Sequence, residues 1–149
     1  MRDYVKQPKE YDEKIIQLKR VSKKTKGGNK IGFTALVVVG NRKGKVGYGL
    51  GKAGTVSEAI QKALAKARDS LVEVKISGAT IAHPIKKKFK SAEIYMKPAP
   101  TGSGIIAGGA VRDVLDLVGI KDISAKMLGS SNKEVNIHCA LVALKALRS

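Results

Sequence analysis

The sequence predicts an α+β fold in which three antiparallel strands and a helix form a first unit and a second α/β unit follows. Short segments near the start alternate apolar and polar residues, as half-buried strands do. A Gly-Asn-Arg-Lys-Gly turn at residues 40–44 joins two of these segments. Three other segments carry apolar residues every three to four positions, which is the helical period. Aromatic residues make up only 4% of the chain, so the core must consist of Val, Ile, Leu and Ala.

The first unit contains the three predicted strands. The first is expected at residues 14–21, and the basic segment 22–30 is expected to be an exposed loop because it ends in a turn signal. A strand rich in β-branched residues follows at 31–39, and the turn at 40–44 leads to a third strand at 45–50. One face of the middle strand carries Phe33, Ala35, Val37 and Val39.

A helix is predicted after the third strand. Thr55 and Glu58 have the spacing of a capping box, which marks a helix N-terminus. Lys62 and Lys66 lie one turn apart on the other side from the apolar stripe, where they can point at a partner. The apolar stripe consists of Ala59, Ile60, Ala63, Leu64, Ala67 and Leu71.

The second unit alternates strands and helices. Lysines at an expected hairpin tip precede a strand at 92–97, and a helix that ends at Gly119 precedes a strand at 123–127. Ser131 and Glu134 are expected to cap the final helix. The lysines of the tip are Lys86, Lys87, Lys88 and Lys90. The expected buried positions are Val111, Val114, Leu115 and Val118 in the first helix, and Val135, Cys139, Val142 and Ala146 in the last.

Charge is distributed unevenly along the chain. The predicted divisions are a mobile arm at 1–10, a first unit at 11–74 and a second unit at 75–149. Residues 14–97 carry 20 basic and 4 acidic side chains, whereas residues 98–149 carry six and four. The net charge of +17 calls for a polyanionic partner, either nucleic acid or an anionic membrane surface. The uneven distribution favours a folded protein with a basic binding face.

The composition excludes several classes of protein. No apolar run approaches the length of about 20 residues that spans a bilayer, and the N-terminus has no hydrophobic signal segment. The single cysteine, Cys139, rules out an intramolecular disulfide and a Cys-rich zinc site, which fits a cytoplasmic location.

Two glycine-rich segments match the dinucleotide-binding pattern G-x-G-x-x-G/A, at residues 49–54 and 102–107. Such a site needs a parallel βαβ unit and an acid about 20 residues further on. The strand before the first segment closes an antiparallel hairpin instead, and Asp69 falls inside a helix. Asp122 follows the second segment, but the strand there is short. The better interpretation is close approach of another backbone, protein or RNA, at three glycines. They are Gly47, Gly49 and Gly51.

Other reactive side chains have no catalytic arrangement. His83 precedes a proline, and His138 and Cys139 are neighbours on a helix whose side chains point about 100° apart. Structural roles are therefore favoured over a metal site or an activated nucleophile. Asp113 and Asp116 are expected on a solvated helix face. The sequence predicts no enzyme and no cofactor.

Basic clusters carry the functional prediction. Lysine and arginine in loops can follow an irregular phosphate backbone and release its counterions. The alternatives are a free RNA-binding regulator and a nucleotide-dependent enzyme built on the glycine segments. The predicted nucleic-acid-binding residues are Lys19, Arg20, Lys23, Lys24, Lys26, Lys30, Arg42, Lys43, Lys45, Lys52, Lys62, Lys66, Lys86, Lys87 and Lys88.

Four motifs resemble the family of bacterial small-ribosomal-subunit protein five. They are Arg-Val-Ser-Lys-Lys-Thr-Lys-Gly-Gly at 20–28, Phe-Thr-Ala-Leu-Val-Val-Val-Gly at 33–40, Gly-Lys-Val-Gly-Tyr-Gly-Leu-Gly-Lys-Ala at 44–53, and Gly-Ile-Ile-Ala-Gly-Gly-Ala-Val-Arg at 104–112. The resemblance runs over residues 11–142. It implies a double-stranded-RNA-binding-like first domain and a second domain with a left-handed βαβ crossover.

The resemblance also implies a function. A member of this family would bind small-subunit rRNA beside ribosomal proteins four and eight, and would stabilise the arrangement of head and body. It would contribute to translational accuracy and to the unwinding of mRNA near the tunnel through which mRNA enters.

Two sites are carried over from the family. Gly104 and Arg112 match a segment beside the interface with protein four. Two other positions depart from the sequence pattern of the family: residues 132–137 differ from the usual Asn-Pro-x-Asn-Val-Val, and Ser57 replaces a frequent proline. The loop that approaches the spectinomycin site consists of Ser22, Lys23, Lys24, Thr25, Lys26, Gly27 and Gly28.

Overall fold

The computed structural model describes residues 11–130 and 132–147, so the predicted arm at 1–10 lies outside the described residues. Four strands form the first sheet, and each is antiparallel to its neighbours. In sheet order they are β1 (Asp12–Thr25), β2 (Gly28–Gly40), β3 (Lys45–Ala53) and β4 (Val72–Glu73).

The first two strands are longer than the sequence predicted. The expected exposed loop at 22–30 is wrong, because β1 and β2 pair up to Thr25 and Gly28. The lysine-rich composition of residues 22–30 suggested a loop. Antiparallel pairing, however, uses only backbone groups, so side chains on both faces of these strands can be polar. Gly28 has φ +129°, a conformation that favours glycine and allows the tight turn.

The helix α1 (Val56–Asp69) packs against β3 through glycines, which confirms the prediction of close backbone approach. Its N-cap is Thr55, whose Oγ1 accepts a hydrogen bond of 3.3 Å from the Glu58 N–H, as the capping box predicted. A Cβ at any of three glycines of β3 would collide with a carbonyl oxygen of a buried alanine in α1. The facing pairs are Gly47 with Ala67, Gly49 with Ala63 and Gly51 with Ala59.

The second sheet consists of β5 (Ile85–Phe89), β6 (Ala92–Pro98), β7 (Ile105–Ile106) and β8 (Ile123–Leu128). The strands lie in the order β5-β6-β8-β7, and β7 is parallel to β8. Lys86, Lys87 and Lys88 lie within β5 and not at a hairpin tip, which corrects the prediction. The turn falls at Lys90, with φ +53°, because β5 and β6 pair as far as Phe89.

Two helices complete the second unit. The helix α2 (Gly109–Val118) links β7 to β8 and ends at Gly119 in the left-handed conformation, as predicted. The helix α3 (Lys133–Lys145) is capped by Asn132, whose Oδ1 accepts from two backbone N–H groups; the predicted cap Ser131 lies outside the described residues. The predicted apolar stripe of α3 is only partly right: Cys139 is fully buried and Val135 packs against the core, whereas Val142 and Ala146 are half-buried. Its buried residues are Ile137, Cys139, Ala140, Leu141, Ala143 and Leu144.

The first sheet contacts the second unit through the turn at 40–44, between β2 and β3. This turn is hydrogen-bonded to the C-terminus of α2. The Arg42 N–H donates to the Leu117 carbonyl (2.9 Å) and the Gly44 N–H donates to the Val118 carbonyl (2.9 Å). The α+β class is confirmed, and the division of the chain at residue 74 stays a prediction. One buried cluster takes residues from both sheets, with Leu36, Val38 and Val46 from the first and Ile94, Met96 and Ile123 from the second.

Candidate nucleic-acid interface

A two-stranded ribbon projects from the first sheet. The strand β3 pairs with β2 only between Phe33 and Gly40, so residues 21–32 are paired only within the β1–β2 hairpin. Lys24, Lys26 and Lys30 are exposed along this ribbon, and Gly27 lies at its turn. Lys23 and Thr25 belong to the ribbon, but their side chains lie outside the described positions. The strand before the ribbon exposes Lys19 and Arg20.

Arg42 is engaged by carboxylates of the chain itself. Its guanidinium pairs with Asp12 and with Asp116, the latter at 3.1 Å, and the hydrogen bond that it donates to Asp12 is the main cause that raises the pKa of Arg42. Lys14 pairs with Asp113 at 2.8 Å. Asp113 and Asp116 are partly exposed, as expected of a solvated helix face, but these carboxylates also connect α2 to the first sheet. An arginine held in this way is less available to a phosphate than the exposed Lys43 or the half-buried Lys45.

Lysines of α1 cover the open edge of β3. Successive edge carbonyls of β3 accept hydrogen bonds from side chains one helical turn apart. The two spacings match, because four helical residues rise about 6 Å and two strand residues about 6.6 Å. Each ammonium has three donors, so Lys62 and Lys66 keep donors for a phosphate beside exposed Lys52. The bonds are Ser70 Oγ to Tyr48 O (3.1 Å), Lys66 Nζ to Leu50 O (3.1 Å) and Lys62 Nζ to Lys52 O (3.4 Å).

The lysines of β5 point to both faces of the second sheet. Lys86 and Lys88 stand opposite Tyr95 and Glu93 of β6, which lie on the side away from the core, whereas Lys87 stands opposite the buried Ile94. Lys86 pairs with Glu93 at 2.9 Å, and this hydrogen bond is the main cause that lowers the pKa of Glu93. Sequence reasoning missed two exposed lysines on the same side, although strand alternation could have found them. These are Lys97 of β6 and Lys126 of β8.

The histidine and cysteine of α3 have structural surroundings. His138 accepts or donates a 2.7 Å hydrogen bond between Nδ1 and the Tyr48 hydroxyl, and it stacks on Phe89 with ring centroids 3.9 Å apart. Cys139 is fully buried, and burial raises the pKa of its thiol. Among residues 11–130 and 132–147, no cluster of three or more His, Cys, Asp or Glu side chains is placed to hold a metal ion.

The second glycine segment is held by the acid that follows it. Asp122 is buried, and its Oδ1 accepts hydrogen bonds from the backbone N–H groups of Gly102 (3.1 Å) and Gly104 (2.9 Å). The carboxylate thus binds its own loop rather than a ribose. Gly104 precedes β7, and Arg112 is exposed in the first turn of α2, so both predicted interface residues lie on neighbouring elements.

No helix in the described part of the chain is both long enough and apolar enough to span a bilayer.

Comparison with known proteins places the chain in a family. The model for "Ribosomal protein S5, N-terminal domain" matches residues 11–75, and that for "Ribosomal protein S5, C-terminal domain" matches residues 87–149. Small ribosomal subunit protein uS5 of Campylobacter jejuni is 48% identical over 139 residues, covering 93% of this chain and 95% of that protein. The protein of the same name from Alcanivorax borkumensis is 47% identical over 137 residues, covering 92% and 82%. The chain therefore belongs to the ribosomal protein S5 family, which confirms the resemblance seen in its motifs.

Proposed function

We propose that this chain is a structural constituent of the small ribosomal subunit that binds small-subunit rRNA through its basic clusters. Its relatives carry the name of a small-subunit ribosomal protein and align over nearly their whole length. Family membership makes it a ribosomal structural protein rather than an enzyme. Its place is within the ribosome, in the cytoplasm.

The observation that carries the proposal is the ribbon at 21–32. A two-stranded hairpin alone is marginally stable in water, and this one exposes Val21 (45%) and Ile31 (43%) together with Lys24, Lys26 and Lys30. Such a segment contributes little to its own core. Its length and charge suit insertion into a folded polyanion, where phosphates neutralise the lysines and the apolar side chains meet sugar and base surfaces.

The finer assignments follow from the family. The ribbon would approach the spectinomycin site near the hinge of head and body. Gly104 and Arg112 would face ribosomal protein four, and ribosomal protein eight would be a second neighbour. Contact with mRNA where it enters the subunit, and an effect on translational accuracy, would follow from that position.

Charge reversal in the ribbon tests this function. The double variant Lys24→Glu, Lys26→Glu is expected to bind small-subunit rRNA at least about tenfold more weakly and to lower the salt slope by about 2, because two phosphate contacts are lost. Both side chains are exposed, so the thermal unfolding midpoint should stay the same. Filter binding across a range of salt concentrations measures affinity and slope together.

The matched control reverses two exposed lysines elsewhere, in the variant Lys75→Glu, Lys145→Glu. It has the same net charge and should lose much less affinity. Equal losses in both variants would mean that net charge, and not the ribbon, governs binding. A free regulator would bind isolated duplexes tightly, whereas a ribosomal constituent should stay with small subunits through a high-salt wash.

A further inference from the structure

The second sheet has one face that none of the helices in the described ranges covers, here called the outer face. Side chains directly opposite one another in paired strands point to the same side, so the register defines this face. The opposite face is the core side, where Ala92, Ile94 and Met96 are fully buried and where α3 packs. The outer face consists of Lys86, Lys88, Glu93, Tyr95, Lys97, Ile106, Ser124, Lys126 and Leu128.

A tyrosine stands in the middle of the outer face. Tyr95 lies on β6 between Lys86 of β5 and Lys126 of β8, each directly opposite it in the register. Its side chain is 42% exposed, and two exposed apolar residues, Ile106 (58%) and Leu128 (45%), lie on the same face. The result is a flat aromatic surface with an ammonium group on either side.

Protection of the sheet edge explains only part of the charge of this face. Lysines on an edge strand commonly prevent pairing with other chains, and this reason suffices for Lys86 and Lys88 on β5. It is a weaker reason for Lys97 and Lys126, which belong to the inner strands β6 and β8, although both residues lie just beyond the pairing with β5 and β7. Glu93 offsets only one of the four lysines, to which it is bonded.

We propose that the outer face binds an unpaired segment of RNA, with one base stacked on Tyr95 and the adjoining phosphates held by Lys86, Lys88, Lys97 and Lys126. Aromatic surfaces flanked by cations are the common means of binding single strands, because every base has a face that can stack. A base within a duplex is already stacked and cannot reach Tyr95. This inference rests on the proposed rRNA-binding function and names a second contact surface for it.

The test uses a fluorescently labelled RNA of ten nucleotides without secondary structure, and the full chain in the Lys24→Glu, Lys26→Glu background. That background removes much of the binding by the ribbon. Tyr95→Ala is expected to weaken binding about fivefold or more, because one stacking contact is lost. Tyr95→Phe should stay within about twofold of the parent, since the ring is retained. An RNA duplex of the same length should show no difference between these variants.

Charge on the outer face is tested separately. The variant Lys97→Gln, Lys126→Gln should lower the salt slope for the single strand by about 1.4, whereas Lys75→Gln, Lys145→Gln should leave it nearly unchanged. Glu93→Gln should tighten binding, because it frees the ammonium of Lys86.

Unchanged affinity of Tyr95→Ala for the single strand would overturn the proposal, as would an equal loss for the duplex or a loss in Tyr95→Phe as large as in Tyr95→Ala. If Tyr95→Ala instead weakens only the assembly with another ribosomal protein, the face is a protein interface and the inference fails. The proposed function itself is judged by the ribbon variant on small-subunit rRNA, so the two can fail independently.

Discussion

Replacing Gly49 with valine should lower the free energy of unfolding by about 3 kcal/mol, at the upper end for an overpacked core. The missing side chain at this position is what allows α1 to lie on β3, because a Cβ would collide with the carbonyl oxygen of Ala63 and the backbone N of Ala67. These contacts are backbone atoms within a helix, so they cannot move aside as a flexible side chain would. The helix must shift as a body.

That shift would affect more than one contact. The alanines on either side, Ala59 and Ala67, face Gly51 and Gly47 in the same way, and all three alanines are fully buried. Displacement of α1 would also lengthen the bonds from Lys66 and Ser70 to the open edge of β3. The loss of stability is therefore not confined to the contact at Gly49.

Chemical denaturation of the two proteins measures the difference. Gly54→Ala is the matched control, since nothing lies within 4 Å of a Cβ at Gly54 and it should change the free energy of unfolding by less than about 0.5 kcal/mol. A stable Gly49→Val protein with unchanged unfolding midpoint would show that α1 does not pack on β3 as closely as described.

The elements that could be predicted from the sequence are those fixed by local chemistry. The odd-numbered residues of the middle strand share one face, Thr55 caps the N-terminus of α1, and Gly119 caps the C-terminus of α2, all as expected. Strand alternation, the N-cap and the glycine in the left-handed conformation each depend on only a few neighbouring residues, so they can be predicted from the sequence. The ribbon and β5 were misassigned because pairing with a neighbouring strand outweighed a lysine-rich composition that is typical of loops. The stripe predicted for α3 was incomplete because a helix buried on most sides has no single apolar face.

The candidate interface could likewise be predicted only in part from the sequence. Composition identified the basic clusters, but not which ammonium or guanidinium groups are already engaged. The partners of Arg42 lie 30 and 74 positions away along the chain, at Asp12 and Asp116. The outer face likewise combines side chains from four strands: alternation along β6 places Lys97 beside Tyr95, but Lys126 of β8 joins them only once the strand order is known. Proximity through tertiary structure is what the sequence alone could not supply.

The loop before β7 depends on one carboxylate, and Asp122→Ala is expected to lower the free energy of unfolding by about 2 to 3 kcal/mol. Asp122 is only 6% exposed and accepts from both Gly102 and Gly104. Without it, these donors lose a charged acceptor in a place where water has limited access. Both glycines also have positive φ, at +91° and +73°, a conformation that the two bonds to Asp122 help to hold.

Two further variants separate the carboxylate's charge from its geometry. Asp122→Asn keeps an acceptor oxygen and should cost about half as much, whereas Asp69→Ala removes an exposed carboxylate and should change little. Amide exchange at Gly104 should speed up in Asp122→Ala more than in Asp122→Asn. If neither stability nor exchange changes in Asp122→Ala, the loop is held by its backbone alone. If they change as expected, Asp122 fixes the position of Gly104, and a weaker contact with ribosomal protein four in the same variant would connect this buried bond to the proposed interface.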